Sequence, residues 1–147
     1  MNNNELSPQW LLNFVTIYQS LHTDNVDDIR QIYHRDIIFE DPLHRVEGLD
    51  NLLDYFNKLY QNLSYCEFII TDSFYSHNQA AVYWVMSFKH ANLNGGELIE
   101  VIGHTHLKGI NDKVTYHRDY LDAGAMLYEH IPVLGSAIRF VKKRASQ

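Results

Sequence analysis

Ile37-Ile38-Phe39-Glu40-Asp41-Pro42 is a short extended run that ends at a proline, and what flanks it decides the fold. Pro42 disfavours helix at Asp41, so the run reads as a strand that closes in a turn. Upstream, Ser7-Pro8 is a helix start, with Ser7 as N-cap and Pro8 at the first helical position. Leu11, Leu12, Phe14, Val15, Tyr18 and Leu21 follow at helical spacing. Asp24 and Asn25 cap a second, short helix with Val26, Ile29, Ile32 and Tyr33 on its apolar side. Downstream of Glu47-Gly48, Leu49, Leu52, Leu53, Phe56, Leu59, Tyr60 and Leu63 define a third helix. The second half is different in kind. Aromatic and β-branched segments at 65–75, 80–90, 97–107 and 113–121 are separated by turn compositions and predict an antiparallel meander. Short helices are expected at 124–130 and 132–143, the latter packing through Leu134, Ile138 and Val141. Helices first and a sheet second is an α+β pattern, and no linker divides residues 1–147, so one domain is expected.

Composition narrows the function. The 147 residues are 46% hydrophobic and 20% charged with a net charge of -6, so no phosphate-neutralising face and no nucleic-acid partner are expected. The cluster Lys142-Lys143-Arg144 reads as a solvated tail. Apolar runs fall short of the ~20 residues that cross a bilayer, so no membrane partner is expected. Cys66 is the single cysteine, and the polar start Met1-Asn2-Asn3-Asn4 lacks a signal peptide's apolar region. A cytoplasmic protein is expected.

The order of elements, with Ile38-Phe39-Glu40-Asp41-Pro42 after two helices, resembles the NTF2-like superfamily, which includes ketosteroid isomerases, SnoaL-like polyketide cyclases and limonene-epoxide hydrolases. The resemblance covers nearly the whole chain. It implies a strongly curved mixed, mostly antiparallel sheet wrapped against N-terminal helices as a cone with an apolar pocket, with a C-terminal helix, and a homodimer through the outer sheet face. From Phe14 to Pro42 the spacing looks like that of ketosteroid isomerases and places Asp41 on their general base. Lys113-Val114-Thr115-Tyr116-His117-Arg118-Asp119-Tyr120-Leu121-Asp122 resembles the last strand of the epoxide hydrolases and places Asp119 on a catalytic carboxylate. The chain also departs from both patterns. The isomerase oxyanion donors fall at or near Ile17 and Gly103, with Tyr18 adjacent to the former. The hydrolase Arg and second Asp become Met86 and Phe88, and its water-holding Tyr and Asn become Phe39 and Asp41.

On strands, residues two apart share a face, which groups Phe39 with Asp41, Trp84 with Met86 and Phe88, and His117 with Asp119 and Leu121. If these sets face inward, as the resemblance implies, two carboxylates and an imidazole meet in an aromatic pocket. Asp41, Asp119 and His117 are then the catalytic candidates, and Tyr18, Phe39, Trp84, Met86, Phe88, Gly103 and Leu121 the ligand-binding ones. Against this, Asp41 before Pro42 can simply close a turn, Asp119 can pair with Arg118 or Arg45, and His117 can be a satisfied interior residue. His104 and His106 share a face. A four-residue loop before Lys113 sets His104 opposite His117, a five-residue loop sets Gly103 there, and the family spacing turns Gly103 inward and the two histidines outward. No metal and no cofactor is expected. The residues at 128–141 can form a lid or a plain packed helix. Two functions remain open: an acid/base isomerase, cyclase or hydrolase acting on a small apolar molecule, and a non-catalytic ligand-binding or interaction module.

Overall fold

The computed structural model describes residues 6–147, and the polar start Met1-Asn2-Asn3-Asn4 lies outside the described residues. Helix α1 (Gln9–Gln19) buries Trp10, Leu11, Phe14 and Tyr18, the face its spacing marks out. It begins one residue later than expected. Pro8 has an extended ψ of 145° and is itself the N-cap, so Ser7 makes no cap and the Pro8 carbonyl accepts from Leu11 and Leu12. A 3-10 turn (Val26–Gln31) leads into β1 (Tyr33–Glu40), which forms a hairpin with the short strand β2 (Arg45–Glu47) that sequence reasoning did not foresee. Helix α2 (Leu49–Gln61) follows Gly48, whose φ of 87° suits glycine. The meander is β3 (Leu63–Ser76), β4 (Gln79–His90), β5 (Ile99–Ile110) and β6 (Lys113–Leu121).

The six strands form one curved, open sheet in the order β2-β1-β6-β5-β4-β3. Only β1 and β6 run parallel; the other pairs are antiparallel. That parallel pair sets Phe39 beside His117, joining the early strand to the last one. Phe14, Ile29, Ile37, Leu52, Val82 and Leu107 are among the residues buried where the helices meet the sheet.

The β5–β6 register corrects both expected loops. Ile110 pairs with Lys113, so the connection is the two residues Asn111-Asp112, and Leu107 stands opposite His117. Asn111 takes the left-handed φ of 55° that such tight hairpins require. A bulge separates Lys108 from Gly109, where a Cβ would come within 2.1 Å of the Trp10 ring. Leu107 is four positions from Gly103, an even step. Gly103 therefore still turns to the buried side, with His104 and His106 on the other.

The last segment also differs from expectation. Helix α3 (Ala123–Met126) and a 3-10 turn (Tyr128–His130) precede α4 (Leu134–Ala145), which does not pack on the sheet. Leu134 and Val141 are 43% and 62% exposed, and Gly135 is the buried residue of α4. Polar contacts to the preceding turn hold it: Arg139 donates to the Glu129 carbonyl at 2.8 Å, and Lys142 pairs with Asp122 at 2.9 Å. Lys142 is thus anchored rather than part of a free tail. Among the described residues, no helix is long and apolar enough to cross a membrane.

Candidate functional site

A cavity of about 430 Å³ opens between α2, the curved sheet, the turn after β1 and the start of the C-terminal segment. Its walls are mainly apolar and aromatic, with Phe39, Phe56, Phe68, Trp84, Met86, Phe88 and Leu121 from the helix and sheet, and Met126 and Leu127 from the chain end. Asp41 and Asp119 both line it. Tyr18, His117 and Gly103 do not: they stand behind the wall. Gly103 lies under Trp84, whose ring a Cβ would meet at 2.4 Å, so the missing side chain makes room for the indole.

Asp41 is held as a turn residue. Its Oδ1 accepts the backbone N–H groups of Leu43 at 2.8 Å and His44 at 2.7 Å, and its own N–H donates to the His44 carbonyl at 3.0 Å. Its Oδ2 accepts from the Tyr55 hydroxyl. Burial, then the bond to Asp41 and that carboxylate's charge, push the Tyr55 hydroxyl up, which keeps it protonated as the donor.

Asp119 is held differently. The indole N–H of Trp84 donates to Thr105 Oγ1 at 2.8 Å, and the Thr105 hydroxyl donates to Asp119 Oδ1 at 2.5 Å. His117 Nε2 meets the same Oδ1 at 2.7 Å, while its Nδ1 meets the Tyr33 hydroxyl at 2.7 Å. Tyr33 in turn meets the Tyr18 hydroxyl at 2.6 Å. One direction of donation satisfies every group in this chain. If Tyr18 donates to Tyr33 and Tyr33 to Nδ1, a neutral His117 carries its proton on Nε2 and gives it to Asp119, and every donor finds an acceptor. A protonated His117 would reverse both hydroxyls and leave the Tyr18 O–H without an acceptor among the described residues. Burial, before any other cause, pushes the Tyr18 and Tyr33 hydroxyls up, so both stay protonated donors. Both bonds to Asp119 fall on Oδ1. Among the described residues Oδ2 takes no hydrogen bond, and the carboxylate is 20% exposed against 1% for His117.

Neither Arg118 nor Arg45 reaches Asp119. Glu40, on the opposite face of β1, takes both at 2.7 and 2.5 Å, and Arg45 holds its carboxyl below the usual range. His104 stacks between Tyr83 and Tyr120 on the outer face, with centroids 5.3 and 5.0 Å away, and His106 Nε2 bonds Gln79 at 2.9 Å. Among the described residues no three His, Cys, Asp or Glu side chains are grouped to hold a metal ion. Burial pushes the Cys66 thiol up to about 11, which makes it a poor nucleophile.

Sequence reasoning missed Tyr55, Tyr33's hydroxyl role and Thr105. Thr105 was accessible, because it shares the inward parity of Gly103 and Leu107. Tyr55 follows Leu52 by three residues and precedes Leu59 by four, at the edge of the apolar face of α2.

Residues 14–117 match the SnoaL-like domain family. No curated protein matches the chain in sequence. Among solved structures, a protein of ketosteroid isomerase-like fold from Catenulispora acidiphila, in complex with trimethylamine, is similar at 12% identity and a TM-score of 0.73, over 86% of this chain and 96% of that one. A protein from Shewanella putrefaciens described as a SnoaL-like polyketide cyclase is similar at 23% identity and TM-score 0.67, over 82% and 95%. An epoxide hydrolase of the limonene-epoxide hydrolase type from M. tuberculosis is similar at 14% identity and TM-score 0.63, over 80% and 83%. The fold is therefore the NTF2-like one that the sequence resembles.

Proposed function

Because this chain belongs to the SnoaL-like domain family, we propose that it is an enzyme that moves a proton on a small, largely apolar molecule held in the cavity, as an isomerase, cyclase or hydrolase, with Asp119 as the base. The observation that carries this reading is the uncommitted Oδ2 of Asp119, a residue that lines a mainly apolar cavity. Oδ2 takes a proton from the substrate or from a water beside it, and Asp119 returns it later in the reaction. Thr105 and His117 fix Oδ1 and so aim Oδ2, which makes His117 a positioning residue behind the carboxylate rather than a group that touches substrate. Phe39, Trp84, Met86, Phe88 and Leu121 exclude water and shape the ligand. Asp41, bound on both oxygens, serves as a second negative group and as the clasp of the turn.

Incubation in D2O with a panel of small apolar ketones and epoxides tests this, with deuterium uptake and product mass as readouts. Turnover or exchange by the wild type should fall about 100-fold or more in Asp119→Asn. Undiminished activity in that folded variant would overturn the assignment.

A binding module is the second reading. It is favoured by the positions of two tyrosines, since Tyr55 is committed to Asp41 and Tyr18 is sealed behind the wall, which keeps both hydroxyls from a substrate oxyanion. In either case we propose a homodimer through the outer sheet face, where Ile69, Tyr83, Ile102 and Tyr120 are between 41% and 74% exposed.

A further inference from the structure

Among the described residues, two carboxylates and no arginine line the cavity, and His44, 3.9 Å from Asp41 Oδ1, is beside Asp41 rather than Asp119. Asp41 and Asp119 both face the cavity, while the arginines nearest to them, Arg45 and Arg118, are bound to Glu40 on the other side of β1. Lys58, the lysine on the lining, is exposed to solvent. His117, the one partner that touches Asp119 with a ring nitrogen, donates as a neutral imidazole in the arrangement that satisfies every donor. The Asp119 charge is accordingly felt around the chamber. It contributes to holding the hydroxyls of Tyr18, Tyr33, Tyr55 and Tyr60 protonated, in each case after burial as the larger cause.

The rest of the wall is suited to the opposite sign. Phe39, Phe56, Phe68, Trp84 and Phe88 present aromatic rings to the same space. Ring faces carry negative potential and attract cations, more strongly where water is excluded. An anionic ligand would meet two carboxylates in a mainly apolar chamber, and a neutral one would gain only from buried area. A cation gains from the carboxylate, from the rings and, where it bears N–H, from a charge-assisted hydrogen bond to Oδ2.

We propose that the cavity takes a small molecule whose apolar body carries a cationic nitrogen, a protonated amine or a quaternary ammonium, seated between Asp119 and the aromatic wall. The proposal rests on the cavity being the ligand site and does not require that the reaction be proton transfer.

Phenyltrimethylammonium and tert-butylbenzene have the same shape and differ in charge, so titrating each into the full chain by calorimetry isolates the effect of charge. The cation should bind about tenfold tighter or better, and this preference should shrink toward unity in Asp119→Asn. If that variant does not fold, Phe88→Leu removes a ring without touching the carboxylates, and it should weaken the cation more than the hydrocarbon. Equal binding of the two probes would overturn the proposal and leave the cavity as a ligand site. Binding of neither would overturn both the proposal and that site. A preference that survives Asp119→Asn and Phe88→Leu unchanged would overturn the roles given to the carboxylate and the ring.

Discussion

At Asp41 every carboxylate lone pair in use serves the turn or Tyr55, whereas at Asp119 one oxygen carries all the bonds and the other carries none. Removing each group therefore has different consequences. Asp41→Ala strands two backbone N–H groups and the Tyr55 hydroxyl, so it should cost about 2 kcal/mol in urea denaturation. Asp119→Asn keeps acceptor and shape, and its effect should appear in activity or binding rather than in folding. The buried tyrosines add a pH signature. Tyr18, Tyr33 and Tyr60 have hydroxyls raised above 10.0 in the folded protein, while the unfolded chain ionises them near that value. Unfolding therefore releases protons at high pH, and stability that is complete below pH 10 should be lost as pH climbs past it. Tyr33→Phe should make that alkaline loss shallower when denaturation is followed between neutral and high pH. Both carboxylates were visible in the sequence, as was the option that Asp41 closes a turn. Which of them kept a free oxygen was not, because that depends on Tyr55 from α2 and Thr105 from β5, which meet the carboxylates only in the folded sheet.

Among the elements, β5 shows how far strand periodicity reaches. Alternation groups Gly103, Thr105 and Leu107 on one face, but only the family spacing turned Gly103 inward, and the loop is shorter than either length considered, since the bulge at Gly109 and the left-handed Asn111 have no signature in hydrophobic spacing. A methyl at Gly103 would strike the Trp84 ring, so Gly103→Ala should cost about 1–3 kcal/mol and shift the indole fluorescence as the cavity wall moves. Helix α4 is the reverse case, for its amphipathic spacing forms a helix but not the expected contact. The left-handed turn at Val133, with φ of 70°, accompanies docking of Gly135 against the Glu129 carbonyl, and Leu134, Phe140 and Val141 stay largely exposed. Deleting residues 134–147 should thus change stability by about 1 kcal/mol or less, measured by thermal or urea unfolding.

For the whole molecule, the order of helices and strands indicated an α+β fold, and the resemblance carried by that order and by the β-run ending at Pro42 supplied the curved mixed sheet that the structure has. The outer face follows from the same alternation, as residues facing away from the core leave Tyr83, Ile102 and Tyr120 exposed. If this face joins two copies, Ile102→Lys should shift sedimentation from a dimer toward the 17.2 kDa monomer. Chemistry was less legible than architecture, because it rests on a hydrogen-bonded chain of Tyr18, Tyr33, His117 and Asp119 that draws on three separate elements. If that chain donates toward Asp119, no imidazolium offsets the carboxylate, and the cation site depends on this direction. Nitrogen-15 NMR of the His117 ring at neutral pH reads it directly. The account predicts a neutral imidazole with the proton on Nε2 and a bare Nδ1; a proton on Nδ1, alone or in an imidazolium, would contradict it.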